Sequence, residues 1–129
     1  MHYILKNVVI PSVVLFTYDI IFILLTKQIY ENQVIEIQRV IMQPKLTGAL
    51  MCYLLLFFGF YYFIMREKRS VTDAFLMGIL VYGVYATTVY TAFKKWKLEL
   101  VALDTLWGGA LFALTTMTTY YLTGRTIVF

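Results

Sequence analysis

Two carboxylates stand apart from the rest of this sequence. Asp19 lies within residues 7–26, a stretch with no other charge, and Asp104 stands at the head of a second uncharged stretch, 105–124. Inside a bilayer a carboxylate costs roughly 2.5–3.5 kcal/mol on insertion scales, so such a residue faces a bundle interior or water. Asp19 has two readings. It lines a polar intramembrane path, or it bonds a neighbouring Tyr or Thr hydroxyl and fixes helix packing. Asp104 also has two. It caps the N-terminus of the last span by accepting the free N–H groups of the first turn, or it forms a polar site with Trp107 near one membrane face. The two acids could act as a pair, although no spacing fixes their distance and their span depths suggest a separation. His2 is a lone histidine near the N-terminus and is expected to do nothing. The sequence has no Cys/His cluster, no carboxylates at metal spacing, no Gly-rich phosphate loop and no nucleophile elbow. No catalytic residue, metal or cofactor is therefore expected, and the chain reads as a non-enzyme.

The elements that position these acids follow from composition. The chain has 129 residues, 61% hydrophobic and 14% charged. Soluble domains sit near 45–50% and about 25%. A soluble chain this short could not hide that much apolar surface, whereas lipid would solvate it. Charged residues bracket four stretches: Lys6 and Lys27 around 7–26, Lys45 and Arg66 around 46–65, Asp73 and Lys94 around 74–93, Asp104 and Arg125 around 105–124. At about 1.5 Å rise per residue, about 20 residues cross the roughly 30 Å hydrocarbon layer. Backbone groups in lipid must be paired within the segment, so each stretch should be a helix. The expected fold is all-α and polytopic, one membrane domain over 1–129. It has four transmembrane helices plus a surface amphipathic helix in the connection 28–43. There Tyr30, Val34, Ile37 and Ile41 recur at helical spacing opposite Glu31, Asn32, Glu36, Gln38 and Arg39.

Finer features point to packing. Pro11 places a helix start or a kink early in span one. Aromatics from Phe57 to Phe63 read as an interfacial belt. Ser70 or Thr72 suits a cap for span three. Gly78, Tyr82, Ala86 and Tyr90 share one helical face, with Tyr85 and Thr88 on the adjacent one. Gly78, Gly108 and Gly109 allow close helix approach. Thr115, Thr116, Thr118 and Thr119 can each bond a carbonyl one turn back. The expected polar seam of the bundle joins Asp19, Tyr85, Thr88, Asp104 and Trp107.

The formal net charge of +4 does not indicate nucleic acid, because the Lys and Arg residues flank helix ends, where they meet lipid head groups. Expected partners are the lipid bilayer and a second copy of the chain or capsid proteins. Cys52 is the single cysteine and cannot form an intrachain disulfide. Asp19 and the lack of a small-residue cleavage site argue for a retained first helix rather than a signal peptide. Orientation stays open. Lys6, Arg66, Lys68, Arg69 and Arg125 would lie on one side, five positive residues, against six on the other: Lys27, Arg39, Lys45, Lys94, Lys95 and Lys97.

Tyr85-Ala-Thr-Thr-Val-Tyr-Thr-Ala-Phe-Lys-Lys-Trp96, followed by Leu103-Asp-Thr-Leu-Trp-Gly-Gly109, resembles the membrane family catalogued as domain of unknown function 2177. Tyr18-Asp19 is similar to that family's first-helix aspartate motif. The resemblance covers nearly the whole chain and is strongest at Asp104, Trp107 and Gly108. The chain departs from it in the third span, where the family reads Tyr-Asp-x-Thr-Asn. The matching residues are Tyr85, Ala86, Thr87, Thr88 and Val89. If the missing acid and amide serve a proton path or a catalytic site, this chain lacks that activity. Its Tyr- and Phe-rich helices resemble versions from large DNA viruses. The leading expectation is a structural or scaffolding membrane protein, in a viral setting a component of the particle's internal membrane. The alternative is a small transporter or channel with Asp19 in a polar path. A membrane enzyme acting on lipid comes last.

Overall fold

The computed structural model describes residues 2–38, 46–93 and 96–129. Four helices are long and apolar enough to cross a membrane: Leu5–Ile35, Leu46–Met65, Val71–Ala92 and Leu98–Leu122. No strand occurs among the described residues. The four expected spans are therefore present, each with somewhat different ends.

The first helix departs most from expectation. It starts as His2–Ile4, widens into a π-helical turn at Leu5–Val9, and continues as Ile10–Gln38. Pro11 explains the turn. Its ring has no N–H and would clash with the carbonyl four residues back. The wider turn lets Ile10 N–H bond the Leu5 carbonyl instead. The start at Asn7 or Pro11 is thus replaced by a helix running through both. The expected connecting helix exists as far as Gln38, in unbroken continuity with the first span. The remainder of 28–43 lies outside the described residues.

The second helix, Leu46–Phe60, also closes in a π-helical turn, Tyr61–Met65. The two π-helical turns pack together, and Tyr3 and Tyr61 share a hydroxyl–hydroxyl bond of 2.8 Å. The expected aromatic belt divides here. Phe60, Ile64 and Met65 are buried with Leu15, Ala74, Leu111 and Phe112 in the core, while Phe58, Tyr62 and Phe63 are exposed.

The third helix, Val71–Ala92, begins at Ser70, whose Oγ accepts the Asp73 N–H at 3.1 Å. Ser70 is therefore the cap. The third and fourth helices pair through glycines. A Cβ on Gly78 would sit 2.0 Å from the Gly108 carbonyl oxygen, and one on Gly108 would sit 2.4 Å from Tyr82 Cβ. Gly109 faces Phe75 and Ile79 just as closely. Small residues at this contact let the two backbones meet, which is how helices associate where lipid removes any hydrophobic drive. The fourth helix is the centre of the bundle. Its most apolar 18-residue window is 44% buried, against 17% in each of the others. After it, the C-terminal segment returns to the third helix. Val71 N–H bonds the Val128 carbonyl at 2.7 Å and Thr72 Oγ1 bonds the Phe129 carbonyl at 2.5 Å.

One asymmetry matters for function. The second helix is packed firmly at its Phe60–Met65 end but stands off at its other end, where Leu46 is 85% exposed. The space it leaves is a chamber.

Candidate functional site: a carboxylate-bearing chamber between the helices

The chamber has a volume of about 640 Å³ and is walled by all four helices. The first helix contributes Asp19, Phe22, Ile23, Thr26, Lys27 and Tyr30 in successive turns. The fourth contributes Asp104 and Trp107, three residues apart and therefore on one face. Gly48, Ala49, Cys52, Tyr53 and Leu56 come from the second helix, and Val81, Tyr82 and Tyr85 from the third. Trp96 lines the chamber from just before the fourth helix.

Asp19 is buried and ties three helices together. Its Oδ2 accepts the Tyr53 hydroxyl at 2.5 Å and its Oδ1 accepts the Trp107 Nε1–H at 3.1 Å. An indole N–H can only donate, so Oδ1 must act as an acceptor. A carboxylate offers about four lone-pair sites; two are used, and the others can serve a guest in the chamber. Trp107 stacks on Phe22, with ring centroids 4.5 Å apart and planes 7° from parallel, which fixes the indole.

Asp104 does not cap the fourth helix. That helix begins at Leu98, with Lys97 at the cap position and no side-chain cap bond. The sequence placed the start at the last charge before the apolar run, but the helix extends back through Glu99. Asp104 is therefore inside the helix, where its Oδ1 accepts the Tyr30 hydroxyl. Gln33 Oε1 accepts the Lys97 N–H at 3.1 Å, which holds the first helix against the start of the fourth.

Of the expected seam, Asp19, Tyr85, Asp104 and Trp107 line this one chamber. Thr88 does not. It is exposed, and its hydroxyl bonds the Val84 carbonyl of its own helix at 2.7 Å. Ala86 is 1% exposed, so a larger side chain there would be buried. The threonine expectation holds for Thr116, which bonds the Phe112 carbonyl at 2.8 Å. Thr118 instead bonds Tyr18 across the bundle at 2.7 Å. Thr115 and Thr119 have buried hydroxyls with no partner among the described residues.

Sequence reasoning missed Tyr30, Tyr53 and Trp96 as members of the site. Tyr53 carried a signal, because it is a hydrogen-bonding side chain inside an otherwise apolar span. Trp96 carried none, standing among Lys94, Lys95 and Lys97 in the sequence. Its indole N–H is buried and has no acceptor among the described residues.

The chamber combines charge with aromatic faces. Two carboxylates lie among seven aromatic rings: Phe22, Tyr30, Tyr53, Tyr82, Tyr85, Trp96 and Trp107. Among the described residues the one cation on the wall, Lys27, is paired with Glu31 at 3.8 Å, and its side chain is 61% exposed. Among the described residues no group of three or more His, Cys, Asp or Glu is placed to hold a metal ion.

Four apolar helices around a chamber define an integral, multi-pass membrane protein of the all-α class. Residues 4–121 match the profile of a family described as predicted membrane protein (DUF2177), and the chain belongs to that family. Neither the curated proteins nor the solved structures contain a match to the chain.

Proposed function

We propose that this protein is a non-enzymatic membrane carrier that takes small organic ammonium ions into the chamber. The observation that carries the reading is the pairing of Asp19 and Asp104 with aromatic walls in one cavity. A carboxylate supplies charge, and aromatic faces attract the diffuse positive surface of an ammonium group by cation–π interaction, worth about 2 kcal/mol where water is excluded. A hydrated metal ion would gain much less from such walls. The stand-off of the second helix at Leu46 supports access to the chamber from one membrane face.

The structural reading, including a component of a virus particle's internal membrane with capsid contacts or self-association, draws support from the glycine pairing of the third and fourth helices. It gives no role to two acids facing a cavity, whose upkeep in a membrane is costly. The carrier reading is therefore preferred.

Exchange of labelled tetramethylammonium into proteoliposomes tests it, since that ion does not cross lipid unaided. The wild-type protein should give exchange well above protein-free liposomes, and Asp19→Asn should lower it at least tenfold. Exchange equal to protein-free liposomes, or unchanged by Asp19→Asn, would overturn the proposal.

A further inference from the structure

The chamber shares part of its wall with a second space. A second cavity of about 340 Å³ adjoins it, and Cys52, Leu56 and Val81 line both. Beyond those shared residues the slot is walled by Gly59, Met77 and Phe112, with no charged side chain. It follows the second helix from the level of Asp19 toward the Phe60–Phe112 contact of the core. Its shape and chemistry differ from the chamber's. The chamber offers acids and rings; the slot offers only apolar walls.

We propose that the physiological ligand is a long-chain ammonium ion, with its head beside Asp19 and Asp104 and its alkyl chain in this slot. The inference deepens the carrier reading above and rests on it. Charge complementarity selects the head. The slot selects the chain, because an apolar cavity stays dry and takes an apolar guest. At roughly 150 Å³ such a cavity already accommodates benzene, so this one has room for a chain of about ten carbons by the same scale. Cys52, Leu56 and Val81 border both spaces, so a single molecule held beside them places its head in one and its chain in the other. Gly59 is what keeps the slot open. A Cβ there would meet nothing within 4 Å, so the missing side chain is space that a ligand can use rather than a packing requirement.

Both tryptophans of the chain, Trp96 and Trp107, line the chamber, so intrinsic fluorescence reports binding directly. The experiment titrates tetramethylammonium and decyltrimethylammonium onto the full chain in lipid nanodiscs. Wild type, Asp19→Asn, Gly59→Leu and Gly59→Ala are compared. Gly59→Leu should weaken decyltrimethylammonium at least tenfold and leave tetramethylammonium unchanged. Gly59→Ala, the milder change, should give a smaller loss in the same direction. If Gly59→Leu and Gly59→Ala leave both ligands unchanged while Asp19→Asn weakens them, the chain lies elsewhere and this inference falls, with the carrier reading intact. If Asp19→Asn changes neither ligand, the ammonium reading itself falls and this inference with it.

Discussion

At the residue scale the protein turns on what Asp19 touches. The sequence marked Asp19 because one acid in an apolar stretch is costly. It left open whether that acid serves a path or merely bonds a hydroxyl. In the structure Asp19 bonds the Tyr53 hydroxyl and also lines the chamber. Its partners were hard to see beforehand because they lie 34 and 88 residues away, and sequence spacing carries no information at that range. Asp104 was misread for a related reason. An acid before an apolar run resembles a cap, and only the helix start at Leu98 shows otherwise. The Tyr53 bond also gives a prediction. Tyr53→Phe leaves an oxygen of the buried Asp19 carboxyl without its partner, at a cost of about 1–3 kcal/mol. Amide exchange at the Leu46–Cys52 end of the second helix should then quicken by roughly tenfold or more, with the Phe60–Met65 end unaffected. Equal exchange at both ends before and after substitution would show that this bond does not hold the helix.

At the element scale the spans were legible and their interiors were not. Flanking charges mark where lipid ends, and the second and third helices lie within a few residues of the expected 46–65 and 74–93, whereas the fourth begins at Leu98 rather than at 105. The first helix extends furthest beyond expectation. Lys27 looked like a boundary but is a charged side chain at the chamber wall, partly exposed beside Glu31, so the helix passes it without a break. The π-helical turn at Leu5–Val9 was hinted at by Pro11, whereas nothing comparable announced the one at Tyr61–Met65. The glycines expected to let helices approach, Gly78, Gly108 and Gly109, stand where the third and fourth helices meet. Gly78 and Gly108 sit at a backbone contact, while Gly48 and Gly59 border open space. Gly78→Ala should therefore destabilise the bundle by about 1–3 kcal/mol, the usual cost of overpacking. Gly48→Ala should be neutral, or stabilising by up to about 1 kcal/mol through helix propensity. Thermal unfolding in detergent compares them; equal midpoints for the two variants would contradict the packing described.

At the scale of the whole molecule, the fold reads as a tight pair of helices with two looser ones around it. The third and fourth helices form the rigid half. The first and second close over them, paired at one end through their π-helical turns and tied further along by the bonds of Tyr53 to Asp19 and of Tyr30 to Asp104. That division explains why a cavity exists in so small a protein. It also explains why the site escaped sequence analysis as a site. Its residues come from all four helices, and only Asp104 and Trp107 share a short motif. The central claim is that this cavity is a seat for an ammonium group held by Asp19. Isothermal calorimetry of tetramethylammonium binding to the protein in nanodiscs tests it most directly. Asp73→Asn serves as a control, because Asp73 is exposed and outside the chamber. Saturable binding by wild type and Asp73→Asn, weakened at least tenfold in Asp19→Asn, about 1.4 kcal/mol, is the predicted result. No saturable heat from the wild type, or equal affinity across all three proteins, would contradict it.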